Sequence, residues 1–177
     1  MKALVVYESM YGNTEQIARA IAEGLSSHIP VEAFEVGDAP TTIGPDVALL
    51  VVGGPTHMFG LSRPGSRESA AERGNGHVIS SRIGLREWFE TLESQNLDIP
   101  AAAFDTTIHK PRFVRYFGTA SGKASGRLKR RGFKLAASPE RFWVVDAAGP
   151  LVDGEIERAR TWGMRLGAEL GVAPVVD

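Results

Sequence analysis

Five short runs rich in apolar and β-branched residues alternate along this chain with segments whose apolar positions recur every three or four residues. That alternation predicts an α/β domain: a doubly wound parallel sheet of five strands with helices on both faces. The runs are Lys2 to Tyr7, Val31 to Val36, Val47 to Val52, Ile99 to Phe104, and a fifth in two halves, Phe133 to Ala137 and Phe142 to Val145, interrupted at Ser138-Pro139. A first helix is expected from about Thr14 to Ser27, with Ile17, Ile21 and Leu25 four residues apart and Glu15 in its first turn. Leu85, Trp88, Phe89 and Leu92 mark a second helix. A basic one lies near Gly122 to Arg131 with Gly132 as its C-cap, and Ile156, Ala159, Trp162, Leu166 and Leu170 mark the last. Thr56 to Ser80 reads as a long Gly/Ser/Arg loop, of a length that tends to be functional. With no internal repeat and no linker, residues 1–177 are expected to form a single domain.

Composition narrows the chemistry. The chain has no cysteine, so disulfides, iron–sulfur clusters and thiol chemistry are excluded, and a redox role requires a bound organic cofactor. Apolar residues are 43% of the chain and no run approaches the ~18 needed to span a membrane. The N-terminal run is too short for a signal-peptide core, so a cytoplasmic protein is expected. His28, His77 and His109 show no spacing that suggests a metal site. Net charge is −1, yet residues 1–100 carry seven Lys/Arg against thirteen Asp/Glu, while residues 101–177 carry thirteen against eight. Thr106 to Pro139 holds nine basic side chains and no acid.

In a doubly wound sheet, ligands bind outside the carboxyl ends of the strands where the strand order reverses. The loop after the first strand is Glu8-Ser9-Met10-Tyr11-Gly12-Asn13-Thr14-Glu15. Its hydroxyls at 9, 11 and 14 and the N–H groups of a helix start suit a phosphate dianion, and Gly12 admits close approach of the backbone. The plainer alternative is a helix cap with no ligand. One glycine is too few for a dinucleotide fingerprint, and Gly118 to Ala124 is one residue short of a P-loop and lacks its hydroxyl.

Ser9-Met10-Tyr11-Gly12-Asn13-Thr14-Glu15 resembles the flavodoxin phosphate loop [ST]-x-T-G-x-T, and Gly53-Gly54-Pro55-Thr56-His57 resembles the loop lining one side of the flavin ring in that family. The resemblance covers essentially the whole chain and implies the strand order 2-1-3-4-5 with flavin mononucleotide (FMN) at the switch point. It implies that Ser9, Tyr11, Gly12, Asn13 and Thr14 cradle the phosphate, with Tyr11 in place of the usual Thr. Pro55, Thr56, His57, Met58, Phe59 and Gly60 would form the first ring-side loop. Asp105, Thr106 and Thr107 would meet the pyrimidine edge. The outer aromatic lid of the family is not identifiable, Tyr116 and Phe117 being candidates, and Ser62 to Gly76 has no place in the family pattern.

The resemblance thus implies an FMN-binding electron-transfer protein serving a redox partner protein. An NAD(P)H:quinone reductase of the same fold and a flavodoxin-fold interaction module without FMN are the alternatives. Typical carriers of the family are strongly acidic, whereas this chain is near neutral and locally basic. The basic segment Lys110 to Lys134 reads first as a solvated helix face, second as a docking patch for an acidic partner, and last as a nucleic-acid surface, since no known module is present. His57 is either a proton donor near the ring or a loop anchor.

Overall fold

A computed structural model of the chain describes residues 1–57, 60–94, 98–109 and 118–171. Strands β1 (Lys2–Tyr7), β2 (Val31–Glu35), β4 (Val47–Pro55), β6 (Pro100–Ile108), β7 (Lys134–Leu135) and β8 (Glu140–Val144) make one sheet, and every pairing in it is parallel. The order is β2-β1-β4-β6, and β7 and β8 share the far edge of β6. Pro100–Ala101 of β6 pairs with β7, and Phe104–Ile108 pairs with β8, so the two halves of the expected fifth strand line up along one neighbour. This is the order 2-1-3-4-5 that the family resemblance implies. A separate pair, β3 (Thr42–Ile43) and β5 (Glu93–Ser94), was not expected.

The period of two along each strand divides the core in half. Leu4, Val6, Leu50, Val52, Ala101 and Ala103 face α3 (Leu85–Thr91) and α4 (Ala120–Arg130), where Trp88, Phe89 and Leu128 are fully buried. Ala3, Val5, Leu49, Val51 and Phe104 face α1 (Asn13–Ser26) and α5 (Glu155–Glu169), which contribute Ile17, Ile21, Leu25, Ala159, Trp162 and Leu166. Each large side chain buried this way contributes roughly 1.5–3 kcal/mol. On the second face the helices nearly touch. A Cβ on Gly24 would lie 2.0 Å from the Arg160 carbonyl oxygen, and one on Gly163 would lie 2.2 Å from that of Ile21.

Three expectations need correction. The stretch Thr56 to Ser80 is not all loop, because it contains α2 (Pro64–Arg73). Proline begins that helix at no cost, since the first N–H of a helix has no partner in any case. The Ser66 hydroxyl accepts the Arg63 N–H at 2.8 Å. The fourth strand runs on past Phe104 to Ile108, so Asp105, Thr106 and Thr107 lie in the strand and not after it. Ile156 is 40% exposed, although its spacing placed it on the buried stripe of α5.

Candidate functional site

The carboxyl ends of β1, β4, β6 and β8 open into a cleft of about 550 Å³, within the usual size range of small-molecule pockets. Ser9, Tyr11, Asn13 and Thr14 line it, with Pro55, Thr56 and His57 from the end of β4 and Thr106 and Thr107 from β6. The loop after β1, the end of β4 and the end of β6 therefore meet at one place.

At its floor stands the start of α1. Gly12 is the N-cap at φ +90°, a left-handed conformation that costs an L side chain about 1–2 kcal/mol, and with no side chain it cannot cap the helix itself. The N–H groups of Asn13 and Thr14 have no intrahelical acceptor there. Ser9 reaches in from upstream, its hydroxyl oxygen accepting the N–H of Gly12 (3.1 Å) and of Glu15 (3.3 Å). Thr14 Oγ1 meets Thr106 Oγ1 at 2.7 Å, joining β1's loop to β6. The loop is held from behind as well. Ser9 and Met10 carbonyls accept the N–H groups of Ser80 and Ile79, and Ser80 Oγ accepts the Ser9 N–H and donates to Glu35 Oε1 at 2.5 Å.

Tyr11 departs from a simple cradle. Its hydroxyl donates to the Ala70 carbonyl of α2 at 2.9 Å, tying the loop to the segment 61–80. Asn13 Nδ2 donates to the Ala148 carbonyl at 3.1 Å and draws the loop after β8 against the helix start.

Beyond β4, His57 and Gly60 exchange backbone hydrogen bonds, each 2.9 Å. Met58 and Phe59, between them, lie outside the described residues, as do Tyr116 and Phe117. Burial lowers the His57 pKa, and the nearby Arg73 and Arg67 lower it further. At neutral pH the ring is therefore neutral and offers one N–H, not an imidazolium. Gly60 lines a neighbouring cavity rather than the cleft.

Asp105 is also set apart from the cleft. It is fully buried, and its carboxylate accepts the Ser121 N–H at 3.0 Å and the Ser121 hydroxyl, with Arg141 at 3.9 Å. It thus seats the start of α4, while its backbone is in register between Gly54 and Arg141. Burial pushes its carboxyl pKa up, against the pull of those donors.

Sequence reasoning missed the wall formed by α2. Ser66, Ser69, Ala70 and Arg73 line the cleft, with Val144 and Ala147 on the opposite side. Arg67, 5% exposed, fixes this helix. Its guanidinium donates to Ser62 Oγ (3.0 Å) and to both oxygens of Glu87 (3.1 and 3.2 Å). Glu8 lies close by, accepting the Leu85 N–H at 2.8 Å, and burial raises its pKa. The signal available in the sequence was Arg63-Pro64 followed by the helix formers Glu68, Ala70, Ala71, Glu72 and Arg73. No group of His, Asp or Glu suited to a metal ion occurs among the described residues.

A model of the family described as flavodoxin matches residues 5–162. Among solved structures, a flavodoxin from the domain Archaea is similar at 16% identity, with 97% of this chain and 99% of that one covered and a TM-score of 0.63. Flavodoxin 2 from Bacillus cereus aligns at 20% identity over 96% of this chain and 99% of its own, with a TM-score of 0.62. A WrbA-like flavodoxin from Agrobacterium tumefaciens aligns at 19% identity over 96% and 97%, with a TM-score of 0.59. At such identities the likeness is one of fold. No curated protein matches the chain.

Proposed function

The chain belongs to the flavodoxin family, and from that premise we propose that it binds FMN in the cleft at the start of α1 and transfers electrons to or from a partner protein. One observation carries this reading. The N-terminus of α1, begun by a left-handed glycine and uncapped by its own residue, stands at the floor of a cleft lined by the ends of four strands. A helix start offers N–H groups and the positive end of the helix dipole, and a phosphate dianion is suited to both.

In this reading the N–H groups of Asn13 and Thr14 and the hydroxyls of Ser9 and Thr14 hold the phosphate. Pro55, Thr56 and His57 lie along one side of the ring, with Thr106 and Thr107 near its polar edge. The α2 face bearing Ser66, Ser69 and Arg73 shields it from water. The flavin supplies the electron chemistry, while the protein supplies position and electrostatics. His57, neutral in its burial beside Arg73, adds a hydrogen-bond donor without a formal charge. Among the described residues no helix is long and apolar enough to cross a membrane, in keeping with a carrier that diffuses to its partner.

A second reading, a quinone-reductase type enzyme, draws on α2, which adds a built wall where a substrate could lie beside the ring. The visible spectrum of the purified chain incubated with excess FMN and then freed of unbound flavin tests the binding. Retained absorbance with the bands of bound flavin is expected, and a colourless chain would leave an interaction module. Turnover of NAD(P)H with a quinone by the loaded chain would favour the enzyme.

A further inference from the structure

Beside the cleft, and sharing His57, Gly65 and Ser66 with it, lies a second cavity of about 790 Å³. Arg63 comes from the residue before α2, Arg86 from α3, and Lys123, Arg127 and Arg130 from α4. The last three, at positions i, i+4 and i+7, lie along one side of the helix. Among the described residues no carboxylate lines this cavity and none of the five cations forms an ion pair.

Two of the five are half-buried, Arg86 and Arg127. Arg86 is fixed by donating Nε to the Ser62 carbonyl (3.1 Å) and Nη2 to that of Leu61 (3.2 Å). Burial lowers the pKa of Arg127, and the charges of Arg86, Arg130 and Arg131 lower it further against the opposing pull of Glu90, which does not line the cavity. Cations gathered around a recess repel one another, and Arg86 and Arg127 are in addition partly desolvated, so the fold carries a cost here that an anion would offset.

We infer that this cavity binds a small molecule carrying two or more linked phosphate groups, held between the cations of α4 and those of Arg63 and Arg86. A single monoanion would leave most of five charges uncompensated, whereas linked phosphates present several oxygens to guanidinium forks at once. The placement of the cations on three separate walls of a recess, rather than along a flat face, selects a compact ligand over the surface of an acidic protein. A nucleic acid would need a continuous basic stripe, which the cavity does not provide. The inference does not rest on the FMN reading, because none of the five cations lines the cleft, although His57, Gly65 and Ser66 border both recesses.

Inorganic pyrophosphate is the probe, titrated calorimetrically into the flavin-free chain and into the chain incubated with FMN. Saturable binding at one site is expected in the FMN-loaded chain and the same site is expected in the flavin-free chain, with orthophosphate at least about tenfold weaker there and affinity falling as salt rises. Backbone amide NMR signals of Gly60 and Gly65 should move during the titration. Arg127→Ala with Arg130→Ala should weaken binding about a hundredfold, and Lys123→Ala, on an exposed residue that cannot upset the core, about tenfold. Arg165→Ala, on the outer side of α5, should leave it unchanged. Absence of saturable binding, full affinity in both cavity variants, loss of binding on FMN addition, or tighter binding of a hexaglutamate peptide than of pyrophosphate would each overturn the inference. Loss of flavin binding alone would leave it standing.

Discussion

Two neighbouring recesses in this molecule favour anions by different physics. At the start of α1 the cleft does so mainly with neutral groups, backbone N–H donors released by a left-handed glycine and hydroxyls already positioned by partners such as Thr106, with Arg73 on the α2 wall as its one lining cation among the described residues. The cavity against α4 does so with formal charge on long side chains, most of them free to move. Fixed dipoles act at contact distance and are little affected by salt, whereas exposed charges act at range and are screened within ~8–10 Å under physiological conditions. A protein that has to hold one ligand firmly and meet another in solution can use both means, a few residues apart.

The largest expected effect separates the two recesses outright. Gly12→Val forces a branched side chain into φ +90° with only Ile79 Cδ1 near its Cβ, at 3.8 Å, so the penalty is conformational and not a clash. We expect the domain to stay folded at a cost of about 1–2 kcal/mol and FMN binding to be abolished, read by retained absorbance and by thermal denaturation. The α4 cavity should be unaffected.

Arg67→Ala tests what the two recesses share. It removes a buried guanidinium from Ser62 and Glu87 and loosens α2, which supplies Gly65 and Ser66 to both. Because Glu87 is partly exposed, we expect a loss of about 2–3 kcal/mol, toward the low end for a broken buried pair, measured by urea denaturation. Weakening of only one recess would break the idea of a common wall.

Thr14→Ala sharpens the account of the cleft. Loss of one hydrogen bond to a charged phosphate, about 1.5–3 kcal/mol, should weaken FMN about 10- to 100-fold and riboflavin little, in a fluorescence titration. Equal losses for both ligands would remove the phosphate from the α1 start.

A smaller effect concerns the outer end of α4. Neutralising Lys129, Arg130 and Arg131 together should leave FMN affinity nearly unchanged. If an acidic reductase docks there, the substitution should flatten the salt dependence of its electron delivery in stopped flow. Identical salt slopes in variant and wild type would return Lys129 and Arg131 to a solvated helix end.

The smallest expected effect is a pH slope. Burial raises the Glu8 pKa, so the folded chain holds that proton more tightly than the unfolded chain does. The resulting stability is fully present below the ordinary carboxylate pKa and is lost as pH rises through the raised folded value. Glu8→Gln should therefore show a flatter stability curve between acidic and neutral pH than the wild type, by chemical denaturation across that range.

What could be read from the sequence followed from how local each signal is. The five strands and four of the helices were legible because a sheet covered on both faces needs uninterrupted apolar runs, and Val47 to Val52 can hardly be anything else. Gly12 was legible as a point of close backbone approach, while its φ of +90° is what the structure adds. α2 was not legible, because only Arg67 and Ala70 of its ten residues are buried, so it has no apolar stripe. Its place is set by tertiary partners, the Ser62–Arg67–Glu87 group and the Tyr11 hydroxyl on Ala70. Asp105 was read as a loop residue because the apolar run ends at Phe104, while the backbone pairing continues to Ile108 against β8. The α4 cavity drew its cations from positions 63, 86, 123, 127 and 130, and no window along the chain contains that juxtaposition.

The glycine contact between α1 and α5 bears on how the molecule is made. A chain emerging from the ribosome presents Ile17, Ile21 and Leu25 long before Ala159, Trp162 and Leu166 exist to cover them. At about 5–20 residues per second the interval is on the order of ten seconds. During it the first βαβ unit has its strands but not the helix that seats α1, and the Ala148 carbonyl that Asn13 will reach has not been made for most of that time. The start of α1 is held by a partner 135 residues further along, so a truncation within α5 would be felt at Gly12.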